Sequence, residues 1–140
     1  MGIFRLPEPM AREIVEHAQA EFPKEACGML AGPGGVSQKL YRMRNVDPDP
    51  VMRYNADPKD LKRITDDIYD NDWDVTCIYH SHTHSPAFPS PTDVERAFYP
   101  EAVYALVSLS DRANPDLRAF QILDGNITEL EVVTEQVAAG

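Results

Sequence analysis

Cationic side chains are scarce in this chain. Thirteen Lys and Arg stand against 23 Asp and Glu, for a net charge of −10. A polyanion would be repelled by that field, so nucleic acid is excluded as an expected partner. Cysteine is nearly absent. Cys27 and Cys77 lie in apolar surroundings. They are too few for a disulfide scaffold and read as buried thiols in a reduced, cytoplasmic setting. No apolar run is long enough to cross a membrane. The opening MGIFRLPEPMAREIV lacks the basic start and apolar stretch of a signal peptide, so none is expected. Its Met-Gly start is not followed by Ser or Thr at position six, which leaves myristoylation unsupported. Internal repeats, low-complexity tracts and linkers are missing too, and one domain over residues 1–140 is expected. The apolar share of 43% suffices for a core without staples.

Periodicity outlines an α+β chain. Met10, Ile14, Ala18 and Phe22 recur every four residues, which predicts a helix over 7–22 that Pro23 ends, with His17 facing solvent. A short apolar strand at 27–31, a turn at 32–35 and a strand from 36 to about 46 form a hairpin, broken by Asp47-Pro48-Asp49-Pro50. Asp57-Pro58 starts a helix to about Asp70, with Leu61, Ile64 and Ile68 on one face. Residues 75–82 read as a strand. Ser90-Pro91 caps a helix to about Tyr99. The strongly apolar 102–109 is a central strand, and 117–123 and 127–133 flank a hairpin turn at Asp124-Gly125-Asn126. The order α-β-β-α-β-α-β-β-β implies a mixed, mostly antiparallel sheet flanked by helices.

Histidine is where the chain departs from an ordinary globule. Three of its four fall in His80-Ser81-His82-Thr83-His84, and Ser90 and Asp93 follow. Strand side chains alternate, so Thr76, Ile78, His80 and His82 share one face. Two imidazoles on one face with a carboxylate downstream make an open three-ligand zinc site, His80, His82 and Asp93. Its remaining position suits a water able to hydrolyse at neutral pH. Each residue also has a plainer reading. A strand histidine is usually just hydrogen-bonded. Asp93 can be a helix-start acid favoured by the dipole. Ser90 can be a cap, or a donor to a developing oxyanion. His84 keeps the strand parity, but Ser85-Pro86 turns the chain away. Cys77 faces away from His80 on the strand. A general base is also needed, and Glu25, Glu21 and Asp74 are all candidates. A metallo-β-lactamase would need Asp then His after the second histidine. A cupin would need an early glutamate. A TIM-barrel amidohydrolase would need a far longer chain.

Two motifs together resemble one family. Glu25 precedes Gly28-Met29-Leu30-Ala31-Gly32, and His80-Ser81-His82 is followed by Ser90 and Asp93 in the pattern H-S-H-x7-S-x2-D. The chain resembles the JAMM (MPN-type) zinc metallopeptidases, whose fold is cytidine-deaminase-like. His-Ser-His-Thr-His, where many members carry proline after the second histidine, is similar to bacterial stand-alone members, among them the sulfur-carrier-protein processing peptidases. The resemblance implies one zinc ion with a bound water, held by His80, His82 and Asp93. It implies Glu25 as the base and Ser90 as an oxyanion donor. The implied partner is a ubiquitin-like sulfur carrier with a Gly-Gly C-terminus, from which cysteine or a short tail is released. Little spare length exists here for the insertions with which larger members grip ubiquitin. Homodimerisation is compatible with all of this. A zinc hydrolase of another amide or peptide, or a non-catalytic scaffold of the same fold, stays open.

Overall fold

The computed structural model describes residues 2–136. In chain order the elements are β1 (Ile3–Pro7), α1 (Glu8–Glu21), β2 (Cys27–Gly32), β3 (Lys39–Met43), α2 (Pro58–Asp70), β4 (Asp74–His82), α3 (Pro91–Glu95), β5 (Val103–Ser108), β6 (Asp116–Leu123) and β7 (Asn126–Glu135). They build one seven-stranded sheet in the order β1-β7-β6-β5-β4-β2-β3. β1 with β7 and β4 with β5 run parallel; the other four pairings are antiparallel. The sheet is therefore mixed and mostly antiparallel, as the element order implies.

Helices cover both faces. On one face α1 presents Ala11, Ile14 and Ala18 to a cluster that includes Leu6, Leu30, Cys77, Tyr79 and Val107. On the other, Ile64 and Ile68 of α2 pack with Met29, Ile78 and Tyr104. Each buried Leu, Ile, Val or Met among these contributes about 1.5–3 kcal/mol from water exclusion. The alternation in β4 thus sends Cys77 and Tyr79 toward α1 and Ile78 toward α2. Both cysteines are free and buried, as expected.

Four boundaries or orientations differ from the sequence expectation. β1 lies ahead of the first helix, where no strand is expected. Its five residues alternate Phe4 and Leu6 into the core, a pattern too short to stand out until β7 supplies a partner. His17 is buried, not solvent-facing. It lies three residues after Ile14 on the packed face of α1, and its Nδ1 meets the Tyr79 hydroxyl at 2.7 Å. Burial lowers its pKa, which favours the neutral ring. β3 spans Lys39–Met43 and not 36–46, since Val36 turns outward. α3 ends at Glu95, short of Tyr99. Beyond it the Tyr99 N–H donates to the Tyr104 hydroxyl at 2.9 Å, which draws the chain toward β5.

Gly28 permits the close contact beneath the site. A Cβ there would lie 2.3 Å from ring carbons of Tyr79, itself buried and held by His17. Gly28→Ala should destabilise the fold by roughly 1–3 kcal/mol through overpacking. Chemical denaturation measures this, and an unchanged midpoint would contradict the rigidity assigned to Tyr79.

Candidate metal centre and active site

β4 carries His80 and His82 at its C-terminal end, opposite Leu106 and Ser108 of parallel β5. Both imidazoles are buried. Their Nε2 atoms lie 3.2 Å apart. Asp93, on α3, reaches the same point: Oδ1 is 3.2 Å from His80 Nε2 and Oδ2 is 3.0 Å from His82 Nε2. α3 is aimed by its own first turn. Ser90 Oγ accepts from the Asp93 N–H at 3.1 Å, and the Ser90 N–H donates to Asp93 Oδ2 at 2.9 Å, a reciprocal capping box.

Second contacts orient the rings. His82 Nδ1 lies 2.9 Å from the Pro86 carbonyl oxygen. That contact makes Nδ1 the donor and turns the Nε2 lone pair inward. His80 stacks on Tyr54 with centroids 4.5 Å apart. His80 Nδ1 is, among the described residues, the one buried side-chain nitrogen or oxygen without a hydrogen-bond partner. Burial lowers the His80 pKa. For His82 burial also pulls down, but the Asp93 carboxylate and the Pro86 carbonyl outweigh it and the pKa rises. Burial disfavours the Asp93 carboxylate, yet the His80 and His82 imidazoles facing it and the Ser90 N–H hold its pKa well below the usual range.

This triangle fits a small divalent cation. Two inward Nε2 atoms and a carboxylate facing one another repel unless positive charge lies between them. Metal–nitrogen bonds of about 2.0–2.1 Å in a tetrahedron put ligand atoms about 3.3 Å apart. The observed separations of 3.2, 3.2 and 3.0 Å are close to that value. His80, His82 and Asp93 form such a convergent group, all ligand atoms within 4.8 Å. His84 does not join it. It is exposed, and its Nδ1 lies 2.8 Å from Thr83 Oγ1.

Glu25 enters from the start of β2. Its N–H donates to the Pro50 carbonyl at 2.7 Å, and its carbonyl accepts from Asn45 Nδ2 at 3.0 Å. The proline-rich breaker at 47–50 therefore holds the acid in place. Asn45 was not singled out in the sequence, yet it also bonds Pro50, Arg53, Asp47 and Asn55. Its signal is an amide two residues ahead of a Pro-rich turn. Glu25 is only 5% exposed, and burial, offset in part by His82, pushes its pKa up to about 8. A buried acid that is neutral at pH 7 becomes a usable base only beside positive charge. Glu25, His82, Ser90 and Asp93 line one cleft of about 420 Å³. A larger cleft of about 810 Å³ between β3 and α2 contains none of these groups. The other candidate bases, Glu21 and Asp74, do not line the cleft.

Ser81, between the histidines, ties the two halves together. Its Oγ accepts from the Ala26 N–H at 2.8 Å, and its own N–H donates to the Ala26 carbonyl at 3.0 Å. Glu25 is thereby bolted to the histidine strand. Ser81→Ala leaves a buried N–H unpaired, at about 1–3 kcal/mol. A fall in Tm of roughly 3–10 °C is expected by calorimetry, and an unaltered Tm would show the clamp to be dispensable.

The chain is similar to known proteins along most of its length. Residues 7–123 match the family model Prok-JAB, described as prokaryotic homologs of the JAB domain. The chain is 39% identical over 130 residues to a CysO-cysteine peptidase of Mycobacterium tuberculosis, covering 91% of this chain and 88% of that protein. It is 33% identical over 122 residues to a desampylase of Haloferax volcanii, covering 86% and 85%. The solved structure of protein DSY2949 from Desulfitobacterium hafniense superposes with a TM-score of 0.83 at 29% identity, over 96% of this chain and 94% of that one. With the family model spanning most of the chain and a relative at this identity along nearly all of it, the protein belongs to the Prok-JAB family and is a JAMM-type hydrolase.

Proposed function

We propose that this protein is a zinc-dependent peptidase, one domain over residues 1–140, that hydrolyses the amide bond after the C-terminal Gly-Gly of a ubiquitin-like sulfur carrier. It releases cysteine or a short tail. The observation that carries the reading is the triangle of His80, His82 and Asp93 in one cleft with buried Glu25. The relatives named for cysteine release and for desampylation support the substrate class.

His80 Nε2, His82 Nε2 and an Asp93 oxygen would hold the zinc. When bound, the ion supplies Lewis acidity, bringing the pKa of water to about 7 and polarising the scissile carbonyl. Glu25 accepts a proton from the attacking water on its carboxylate and hands it to the leaving amine. Ser90 Oγ already accepts from the Asp93 N–H, so its hydroxyl hydrogen is available to the developing oxyanion. The carrier tail would bind extended, gaining backbone hydrogen bonds along a sheet edge. β3 is such an edge, and its Met43 lies two strands from His80 through Cys27. Glycines in the tail let its backbone pass close to the ion.

Buried free thiols support a cytoplasmic location, and no helix among the described residues is long and apolar enough to cross a membrane. Release of cysteine would place the protein in cysteine biosynthesis. The test is mass spectrometry of a Gly-Gly carrier extended by one cysteine. Loss of that residue with zinc-loaded protein, and none after chelation, is expected. Loss that survives chelation would overturn the metal assignment, and an intact carrier under both conditions would overturn the substrate.

A further inference from the structure

We infer that Arg53 and Arg96 form a carboxylate-binding subsite in the active cleft, one that selects substrates whose released part is a single C-terminal amino acid with a free α-carboxylate. The inference rests on the peptidase reading above and narrows it. Both arginines line the same cleft as Glu25 and Asp93. Beneath them lies Asp47, its side chain only 5% exposed, with Arg53 Nε 3.4 Å from Oδ1 and Arg96 Nη1 4.0 Å from Oδ2. The Asp47 carboxylate is fixed, since Oδ1 also accepts from the Asp49 N–H at 2.8 Å. Two guanidiniums thus share one anion. Among the described residues no second carboxylate lies within 4.0 Å of either. Asp49 lines the cleft but pairs with neither. The trio of Arg53, Arg96 and Asp47 keeps one net positive charge, in a cleft that also holds the acids Glu25, Asp49 and Asp93.

Arg96 is tethered close to the chemistry. It follows Asp93 by three residues at the end of α3, a spacing that puts two side chains on one helix face. Its Nη1 donates at 3.3 Å to the carbonyl of Tyr54, the residue whose ring stacks on His80. The substrate's geometry calls for a cation in this cleft. In a single-residue leaving group the α-carboxylate carbon is three bonds from the scissile carbonyl carbon, about 4 Å away. Asp49 lines the same cleft and would repel that carboxylate, a repulsion the two guanidiniums offset. A fork of guanidinium N–H groups matches a carboxylate directly. A lysine side chain leaving from an isopeptide bond has no carboxylate at that distance, so the subsite separates tail trimming from deconjugation.

The test uses the zinc-loaded protein and a Gly-Gly carrier extended by one cysteine, prepared as the free acid and as the C-terminal amide. Wild type should favour the acid by about tenfold to a hundredfold in kcat/KM, the size of a charge-assisted contact, chiefly through KM. In the Arg53→Gln/Arg96→Gln double variant the acid-to-amide ratio should fall to near one, and Arg96→Lys should retain part of it. Calorimetric binding of Gly-Gly-Cys as acid and as amide should give the same ranking without turnover. Equal cleavage of acid and amide by wild type, or an undiminished ratio in the double variant, overturns the subsite and leaves the peptidase reading standing. Cleavage of neither by wild type overturns both.

Discussion

Glu25→Gln should lower kcat/KM on the carrier substrate by about a thousandfold, within the range for loss of a positioned acid–base group, while zinc content and Tm stay near wild type. Glutamine matches glutamate in shape. The acid is buried, and burial pushes its pKa up to about 8, so its surroundings accommodate a neutral group. Its backbone anchors, Pro50 and Asn45, do not involve the side chain. The ligand triangle contains none of its atoms. On the proposed reading, what the substitution removes is the ability to take a proton from water and return it to the amine. Stopped assays beside metal analysis read both quantities. A variant within tenfold of wild type would move the base elsewhere.

Asp93→Asn should be as damaging by a different route: zinc affinity should drop by about a hundredfold or more, and activity with it. The substitution keeps the size of the side chain and an oxygen able to accept the Ser90 N–H, so α3 retains its start. The charge that faces His80 and His82 is lost, leaving two imidazoles to hold a dication in a buried site. Ser90→Ala separates the cap from the ligand. It should cost about 1 kcal/mol of stability and leave zinc stoichiometric. Metal content after dialysis against a weak chelator distinguishes the two. Full zinc retention by the Asp93→Asn protein would exclude Asp93 as a ligand.

What could be read from the chain beforehand was whatever depends on short spacing. His80 and His82 share a face because strand side chains alternate, and the structure points both Nε2 atoms at one place. Ser90-Pro91 marks the start of a helix, and the capping box forms there. Glu25 was different. Its spacing alone did not set it above Glu21 or Asp74, because its backbone is held in place by Pro50 and Asn45, and that of Ala26 by Ser81, all distant along the chain. Only the likeness of two motifs to a family singled it out. β1 and the inward turn of His17 depended on β7 and Tyr79 in the same way. Nothing in the sequence sets Arg53 and Arg96 apart; what does is Asp47, buried beneath both.

The central claim is that His80, His82 and Asp93 bind one zinc ion beside Glu25. Anomalous X-ray scattering from crystals of the zinc-loaded protein, collected on both sides of the zinc edge, tests it most directly. One strong peak is expected, about 2.0–2.2 Å from both Nε2 atoms and from an Asp93 oxygen. A peak bound elsewhere, or none at that triangle in protein that carries zinc, would contradict the account.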